Sequence, residues 1–297
     1  MTEDQHEQRN PVEQYPKPEY PKQEQQPPGL ESEMEPRPDY GEATYRGYGR
    51  LEGKATVVTG GDSGIGRAVA LAFAREGADV LFTYLDEEES DARETGRVVE
   101  EAGKRAVAVS GDIRDEEHCQ KIVRRATDEF GRIDVLVNNA AYQMSASGIR
   151  EISSEQFDRT FRTNIYAMFY LCKAALPHMR EGSVIINTSS IEAYQPKPIL
   201  IDYAATKGAI VTFSKGLAQE LTAEGIRVNV VAPGPVWTPL IPATMPTEGV
   251  PTFGGSKPVG RPAQPAEVAP AYVFLASQES SYMSGEVVGV TGGGLMP

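Results

Sequence analysis

Beyond about residue 50 the chain alternates short apolar runs with longer stretches of helical periodicity. Lys54-Ala55-Thr56-Val57-Val58-Thr59 is short, β-branched and bounded by glycine, the pattern of a central parallel strand. Further runs of this kind stand at residues 79–84, 106–110, 134–137, 183–190, 227–232 and 285–290, so seven strands are predicted. Residues 65–76 form an Ala-rich helical stretch after the first of them. Ser153-Ser154-Glu155-Gln156 reads as a capping box that opens a long helix, with Phe157, Phe161, Ile165, Met168, Phe169 and Cys172 on an apolar stripe. The helix predicted over 202–220 is apolar on most of its circumference, through Ala209, Ile210, Val211, Phe213, Leu217 and Ala218. So wide an apolar face needs more than one sheet to cover it, which predicts contact with another subunit. Residues 239–258 are rich in Pro and Gly and read as a mobile lid.

The first fifty residues are a different material, dominated by Pro, Gln, Glu and Tyr, with the near-repeat Tyr15-Pro16-Lys17-Pro18-Glu19 and Tyr20-Pro21-Lys22-Gln23-Glu24. Such a segment buries too little apolar surface to offset the entropy of ordering, so residues 1–50 are expected to be a disordered or extended tail. Within it, Leu30 and Met34 are the side chains able to dock on the domain or on a neighbouring subunit. Residues 51–297 are an ordinary size for one α/β domain.

The net charge of −13 and a pI near 4.9 set the chain against phosphate backbones and anionic lipid, so neither nucleic acid nor membrane is an expected partner. No apolar run reaches 18 residues, and the amino terminus lacks the order of a signal peptide. Cys119 and Cys172 have no paired spacing, which suits a reducing cytoplasm. With only His6, His118 and His178 and no Cys/His cluster, no metal site is expected.

The candidate chemistry centres on Tyr203 and Lys207, four residues apart and therefore on one helix face. A phenol with a pKa of about 10 is a poor base at neutral pH, and a cation beside it favours the phenolate. Alone this spacing is common on helices. Ser190 lies thirteen residues upstream, at the end of an apolar run. Thr59-Gly60-Gly61-Asp62-Ser63-Gly64-Ile65-Gly66 follows one strand and opens a helix. Its glycines let the backbone approach a pyrophosphate, which the helix amino end then faces.

Together with Asn138-Asn139-Ala140, these motifs resemble in order and spacing the one-domain branch of the short-chain dehydrogenase/reductase family, from about Leu51 to the end. The tail is similar to that of a subgroup containing bacterial general-stress oxidoreductases and the plant glucose and ribitol dehydrogenase homologues. The resemblance implies an α/β fold, a Rossmann-type doubly wound seven-stranded parallel sheet, and hydride transfer between NAD or NADP and a small alcohol or carbonyl compound. It implies Tyr203 as general acid and base, Lys207 as the cation that depresses its pKa and holds the nicotinamide ribose, Ser190 on the substrate oxygen, and Asn164 maintaining a water relay. Gly60, Asp62, Ser63, Gly64, Ile65, Gly66, Tyr84, Asp112, Ile113, Asn139, Ala140, Pro233, Gly234, Val236 and Thr238 are the expected cofactor contacts, with Thr238 on the carboxamide.

Asp112 matches the family residue that accepts from the adenine amino group, and a helix-capping role is its alternative. Ala141 stands where the family usually has Gly. Glu192, Tyr194 and Trp237, with Gln143 and Gln195, are the expected substrate wall, polar and aromatic enough to suit polyols or sugars. Of the positions that carry a base in the family's NADP enzymes, the one beside the end of the second strand holds Leu85, followed by Asp86-Glu87-Glu88-Glu89, and those in the glycine loop hold Asp62 and Ser63. This favours NAD, unless Arg67 or Lys54 reaches a 2′-phosphate. The alternatives are a 3-oxoacyl carrier-protein reductase and a nicotinamide-binding stress protein without turnover. Family members commonly pair their helices across twofold axes, so a homotetramer is expected.

Overall fold

A computed structural model describes residue 5 and residues 7–296. Seven strands form one parallel sheet: β1 (Ala55–Val58), β2 (Asp79–Tyr84), β3 (Ala106–Ser110), β4 (Val135–Asn138), β5 (Val184–Thr188), β6 (Arg227–Pro233) and β7 (Val287–Val290). Their spatial order is β3-β2-β1-β4-β5-β6-β7. The order reverses between β1 and β4, and in open α/β sheets ligands bind outside the carboxyl ends of the strands at such a switch point.

Alternate residues of each strand enter opposite cores. Val58, Phe82, Val137 and Ile186 pack against α1 (Gly64–Arg75) and α8 (Pro265–Ala276). Val57, Leu81, Leu136 and Ile185 face α3 (Glu116–Phe130), α5 (Ala167–Ala175) and α6 (Ile201–Leu221). Continuous Val/Ile/Leu runs therefore mark strands covered on both faces. Helix α2 (Glu89–Glu101) flanks β2 and β3. Ser153 accepts from the Gln156 amide at 3.1 Å and caps α4 (Ser154–Phe161), which continues through a π turn at Arg162–Tyr166 into α5. No helix among the described residues is long and apolar enough to cross a membrane.

The tail is extended, but it is built onto the body of its own chain. Tyr20 and Met34 enter a third core with Trp237, Ile241 and Val250. Tyr20 lies 4.5 Å from Trp237 between ring centroids, and Tyr45 is buried with its hydroxyl on Glu76 at 2.8 Å. Of the two expected docking residues, Met34 is 4 % exposed while Leu30 is only half-buried. The segment read as a mobile lid is folded instead, as α7 (Leu240–Thr244) and a 3₁₀ stretch at Thr247–Thr252. The tail straps it down: Tyr20 N donates to Pro251 O at 2.9 Å and Gln25 N to Pro242 O at 3.0 Å.

Candidate active site

The carboxyl ends of the strands open into a cleft of about 540 Å³ that runs across the switch point. At one end the glycine loop joins β1 to α1. Gly60 (φ +59°) and Gly64 (φ +50°) hold left-handed backbone that other residues rarely adopt. A Cβ on Gly66 would lie 1.8 Å from Gly60 O, so this glycine sets the close approach of helix to loop rather than bordering the cleft. Asn139 locks the loop from β4, donating through Nδ2 to Thr59 O at 3.1 Å and Gly60 O at 3.2 Å. Such a cradle at a helix amino end, with no room for side chains, fits a pyrophosphate.

At the middle of the cleft the end of β5 and the first turns of α6 are stitched together. Lys207 Nζ donates to Thr188 O at 2.9 Å, and Ser189 Oγ to Lys207 O at 2.8 Å. Tyr203 and Ser190 both line the cleft there, and Lys207 Nζ stands 5.1 Å from the Tyr203 ring centroid. Burial raises the phenol above its usual range, against the opposing effect of Ser190. Burial also lowers Lys207, to about 7.

Asn164 sits behind the cleft, within the π turn. Its Oδ1 accepts from Tyr142 N at 2.7 Å, while Nδ2 donates to Tyr142 O at 2.9 Å and Thr206 Oγ1 at 3.0 Å. It borders a second cavity of about 10 Å³ together with Thr188 and Asn138, a volume at the threshold for one water.

Of the expected cofactor contacts, Gly60, Asp62, Ser63, Gly64, Ile65, Tyr84, Asp112, Ile113, Asn139, Ala140, Pro233, Gly234, Val236 and Thr238 all line the cleft. Thr238 turns its methyl toward Gly64. Asp112 holds Arg114, accepting from Nε at 2.7 Å and from the backbone amide at 2.9 Å, which keeps its carboxyl below the usual range even against partial burial. Capping of α3 falls to Asp115, which accepts from Glu117 N, so the capping alternative for Asp112 is set aside. Ala141 lines the cleft without strain, since no non-glycine among the described residues has positive φ.

Three wall residues are misplaced by the sequence reading. Trp237 is fully buried on the far side of its segment, donating from Nε1 to Pro36 O at 2.8 Å, and does not reach the cleft. Tyr194 lies off the cleft beyond the turn Ile191–Ala193, and Gln195 donates to Leu295 O at 2.6 Å. Glu192 and Gln143 do border the cleft. Glu192 accepts from Lys197 N at 2.8 Å and pairs with its ammonium at 3.4 Å, and Gln143 donates to Thr244 Oγ1 at 2.9 Å.

Arg67 is not free to meet a phosphate. Its guanidinium is 3 % exposed, paired with Glu31 of the tail and with Asp91 at 3.4 Å, and bonded to Asp62 O at 2.8 Å. Lys54 does not line the cleft either. Sequence reasoning also missed Pro27 and Pro28, which form part of the cleft wall, and Glu31, which accepts from Gly64 N at 2.8 Å and braces the glycine loop.

Fold and cleft together define a dinucleotide-dependent oxidoreductase. A sequence model described as enoyl-(acyl carrier protein) reductase matches residues 60–294. The oxidoreductase YhdF of Bacillus subtilis is 53 % identical over 284 residues, covering 96 % of this chain and 98 % of that one. Glucose and ribitol dehydrogenase of Daucus carota is 50 % identical (93 % and 96 %), as is NADPH-dependent aldehyde reductase 1, chloroplastic, of Arabidopsis thaliana (91 % and 96 %). A short-chain dehydrogenase of Burkholderia cenocepacia, solved in complex with NADP, superposes with a TM-score of 0.77 at 32 % identity, over 82 % of this chain and 99 % of that one. The chain belongs to the short-chain dehydrogenase/reductase family and is an NAD(P)-dependent oxidoreductase.

Proposed function

We propose that the chain interconverts a small, polar carbonyl compound (an aldehyde, ketone or sugar) and the corresponding alcohol or polyol, with Tyr203 moving the proton. The observation that carries this reading is the convergence of Ser190, Tyr203 and Lys207 on one cleft, with Lys207 Nζ 5.1 Å from the phenol ring. Ser190 orients the substrate oxygen, and Tyr203 gives it a proton in reduction and takes one in oxidation. Asn164 and its small cavity supply a water-sized station behind the cleft.

The nicotinamide cofactor, when bound, supplies or accepts the hydride. The glycine loop would hold its pyrophosphate, Asp112 and Ile113 its adenine, Lys207 its nicotinamide ribose, and the segment 233–238 its nicotinamide end. The similar proteins lean toward NADP, against the preference for NAD expected from the sequence. The acids Asp62, Asp86, Glu87 and Glu88 line the ribose end and favour NAD, while the Arabidopsis relative and the Burkholderia structure are named with NADPH and NADP.

Glu192 and Gln143 on the cleft wall favour a hydroxylated substrate, as the name of the carrot relative also suggests. Steady-state turnover with aldehydes, ketones, polyols, sugars and acyl thioesters tests this: short polar carbonyls or polyols are expected to give the highest kcat/KM. A higher value for an acyl thioester would reinstate carrier-protein reductase activity, which the net charge of −13 disfavours for an acidic carrier. No turnover with any of them would leave a nicotinamide-binding stress protein.

Phe157 on α4, Tyr166 in the π turn and Phe169 on α5 are each more than 40 % exposed, in support of the proposed homotetramer. Light scattering is expected to give a tetrameric mass that falls in the double variant Phe157→Lys, Phe169→Lys; a monomeric wild type overturns the assembly. Free, buried Cys119 and Cys172 suit the proposed cytoplasmic location.

A further inference from the structure

The basic side chains that border the cleft are engaged within the chain, with one exception. Arg114 is held by Asp112, Arg159 lies 4.1 Å over the Tyr142 ring, Lys197 pairs with Glu192 at 3.4 Å, and Lys207 donates to Thr188 O at 2.9 Å. Lys257 also borders the cleft and is half-buried, yet among the described residues its ammonium meets neither a carboxylate nor a hydrogen-bond acceptor.

The backbone around Lys257 is fixed from both sides. Lys257 N donates to Gly254 O at 3.2 Å and Gly260 N to Lys257 O at 2.7 Å, so the segment turns tightly on itself. On one flank Pro18 of the tail lies 3.4 Å from where a Cβ on Gly255 would stand. On the other, the Gly292-Gly293-Gly294 run after β7 leaves no room for side chains. A Cβ on Gly292 would meet Val259 at 2.8 Å and one on Gly293 would meet Pro258 at 2.8 Å, while Val259 N donates to Gly292 O at 3.2 Å. The lysine stem follows this run: a Cβ on Gly294 would stand 3.4 Å from Lys257 Nζ and 2.5 Å from Ile191 Cδ1. Ile191 follows Ser190, so the ammonium is set beside the turn that carries the residue assigned to the substrate oxygen.

Charge along the cleft is thereby divided. Asp62, Asp86, Glu87, Glu88 and Asp112 stand beyond the ends of β1 to β3, whereas Lys257 stands by the end of β7, across the switch point. On that side Glu192 is occupied by the backbone amide and the ammonium of Lys197, so it does not neutralise Lys257. Partial burial of an ammonium without a partner carries a desolvation cost that an incoming anion offsets. We propose that Lys257 is a specificity residue that receives a carboxylate or phosphate carried by the carbonyl substrate, away from the oxygen held at Ser190. The substrate class is then an anionic aldehyde or ketone. This rests on the reading of the cleft as a site of carbonyl reduction.

The test compares matched pairs on the full-length protein, butanal with 4-oxobutanoate and glyceraldehyde with glyceraldehyde 3-phosphate. At low salt the wild type is expected to favour the charged member about tenfold in kcat/KM, the size of a charge-assisted hydrogen bond at a half-buried site. Preference in the first pair alone marks a carboxylate, in the second alone a phosphate, and in both a subsite open to either. Lys257→Met should abolish the ratio, Lys257→Arg should keep it, and added salt should shrink it in the wild type but not in Lys257→Met. A ratio near one for both wild-type pairs, or the same ratio in Lys257→Met, overturns the assignment. Binding is read separately with nitrogen-15 lysine, the Lys257 ammonium signal being assigned by its absence in Lys257→Arg. With oxidised cofactor present, which cannot reduce an aldehyde, that signal is expected to shift on titration with the charged compounds and not with the neutral ones. A saturable shift without turnover overturns the carbonyl reading alone; neither shift nor turnover overturns both.

Discussion

Tyr203→Phe is expected to lower kcat about a thousandfold, the middle of the range for loss of a general acid–base group, while the dissociation constant for the nicotinamide cofactor changes less than threefold. The substitution removes one hydroxyl from a ring that is 9 % exposed and leaves the packing of α6 intact. Lys207 keeps its bond to Thr188 O in the variant, so the surface offered to the cofactor is preserved. The pH dependence carries the sign of the proton transfer. Alcohol oxidation needs the phenolate, so in the wild type it rises with pH; reduction needs the phenol and falls as the phenol ionises. Both slopes are expected to vanish in Tyr203→Phe, which has no phenol to ionise. Residual activity within tenfold of wild type, or an unchanged pH profile, would remove Tyr203 from its assigned role.

The sheet and most of the cleft were legible because both follow from short-range pattern. A parallel strand buried on two faces must be apolar throughout, and a glycine loop must lack side chains where a backbone approaches a phosphate. What escaped depended on the side to which a residue points or on a distant partner. Val236 and Thr238 line the cleft and Trp237 between them faces away, the alternation of an extended segment, which the sequence reading overlooked when it gave Val236 and Thr238 to the cofactor and Trp237 to the substrate wall. Glu31 drew no reading from the sequence, and Arg67 read as a base able to reach a 2′-phosphate. Each is explained only by the other, 36 positions apart in the sequence. Composition alone placed the tail outside the core because it could not build a core of its own. It borrows one instead, inserting Tyr20 and Met34 beside Trp237, Ile241 and Val250.

Removing residues 1–45 is therefore expected to do more than shorten an appendage. The deletion strips Tyr20, Met34 and Tyr45 from apolar contacts, at roughly 1.5–3 kcal/mol for each fully buried side chain. It also leaves Arg67 buried without Glu31, and breaking a buried ion pair from one side costs about 3–5 kcal/mol, reduced here because Asp91 remains. At about 2–4 °C per kcal/mol for a domain of this size, the melting temperature is expected to fall by at least ~10 °C. Loss of the Gly64–Glu31 bond loosens the glycine loop, and loss of Pro27 and Pro28 opens the cleft wall, so AMP binding is expected to weaken as well. Since the truncated chain could fail to fold, Glu31→Ala and Tyr20→Ala separate the effects. Glu31→Ala should weaken AMP binding more than Tyr20→Ala does, because it acts on the loop itself, whereas Tyr20→Ala should act mainly on residues 239–253 and raise the substrate KM. A truncated protein with unchanged melting temperature and unchanged AMP affinity would return the tail to the solvated role its composition suggests.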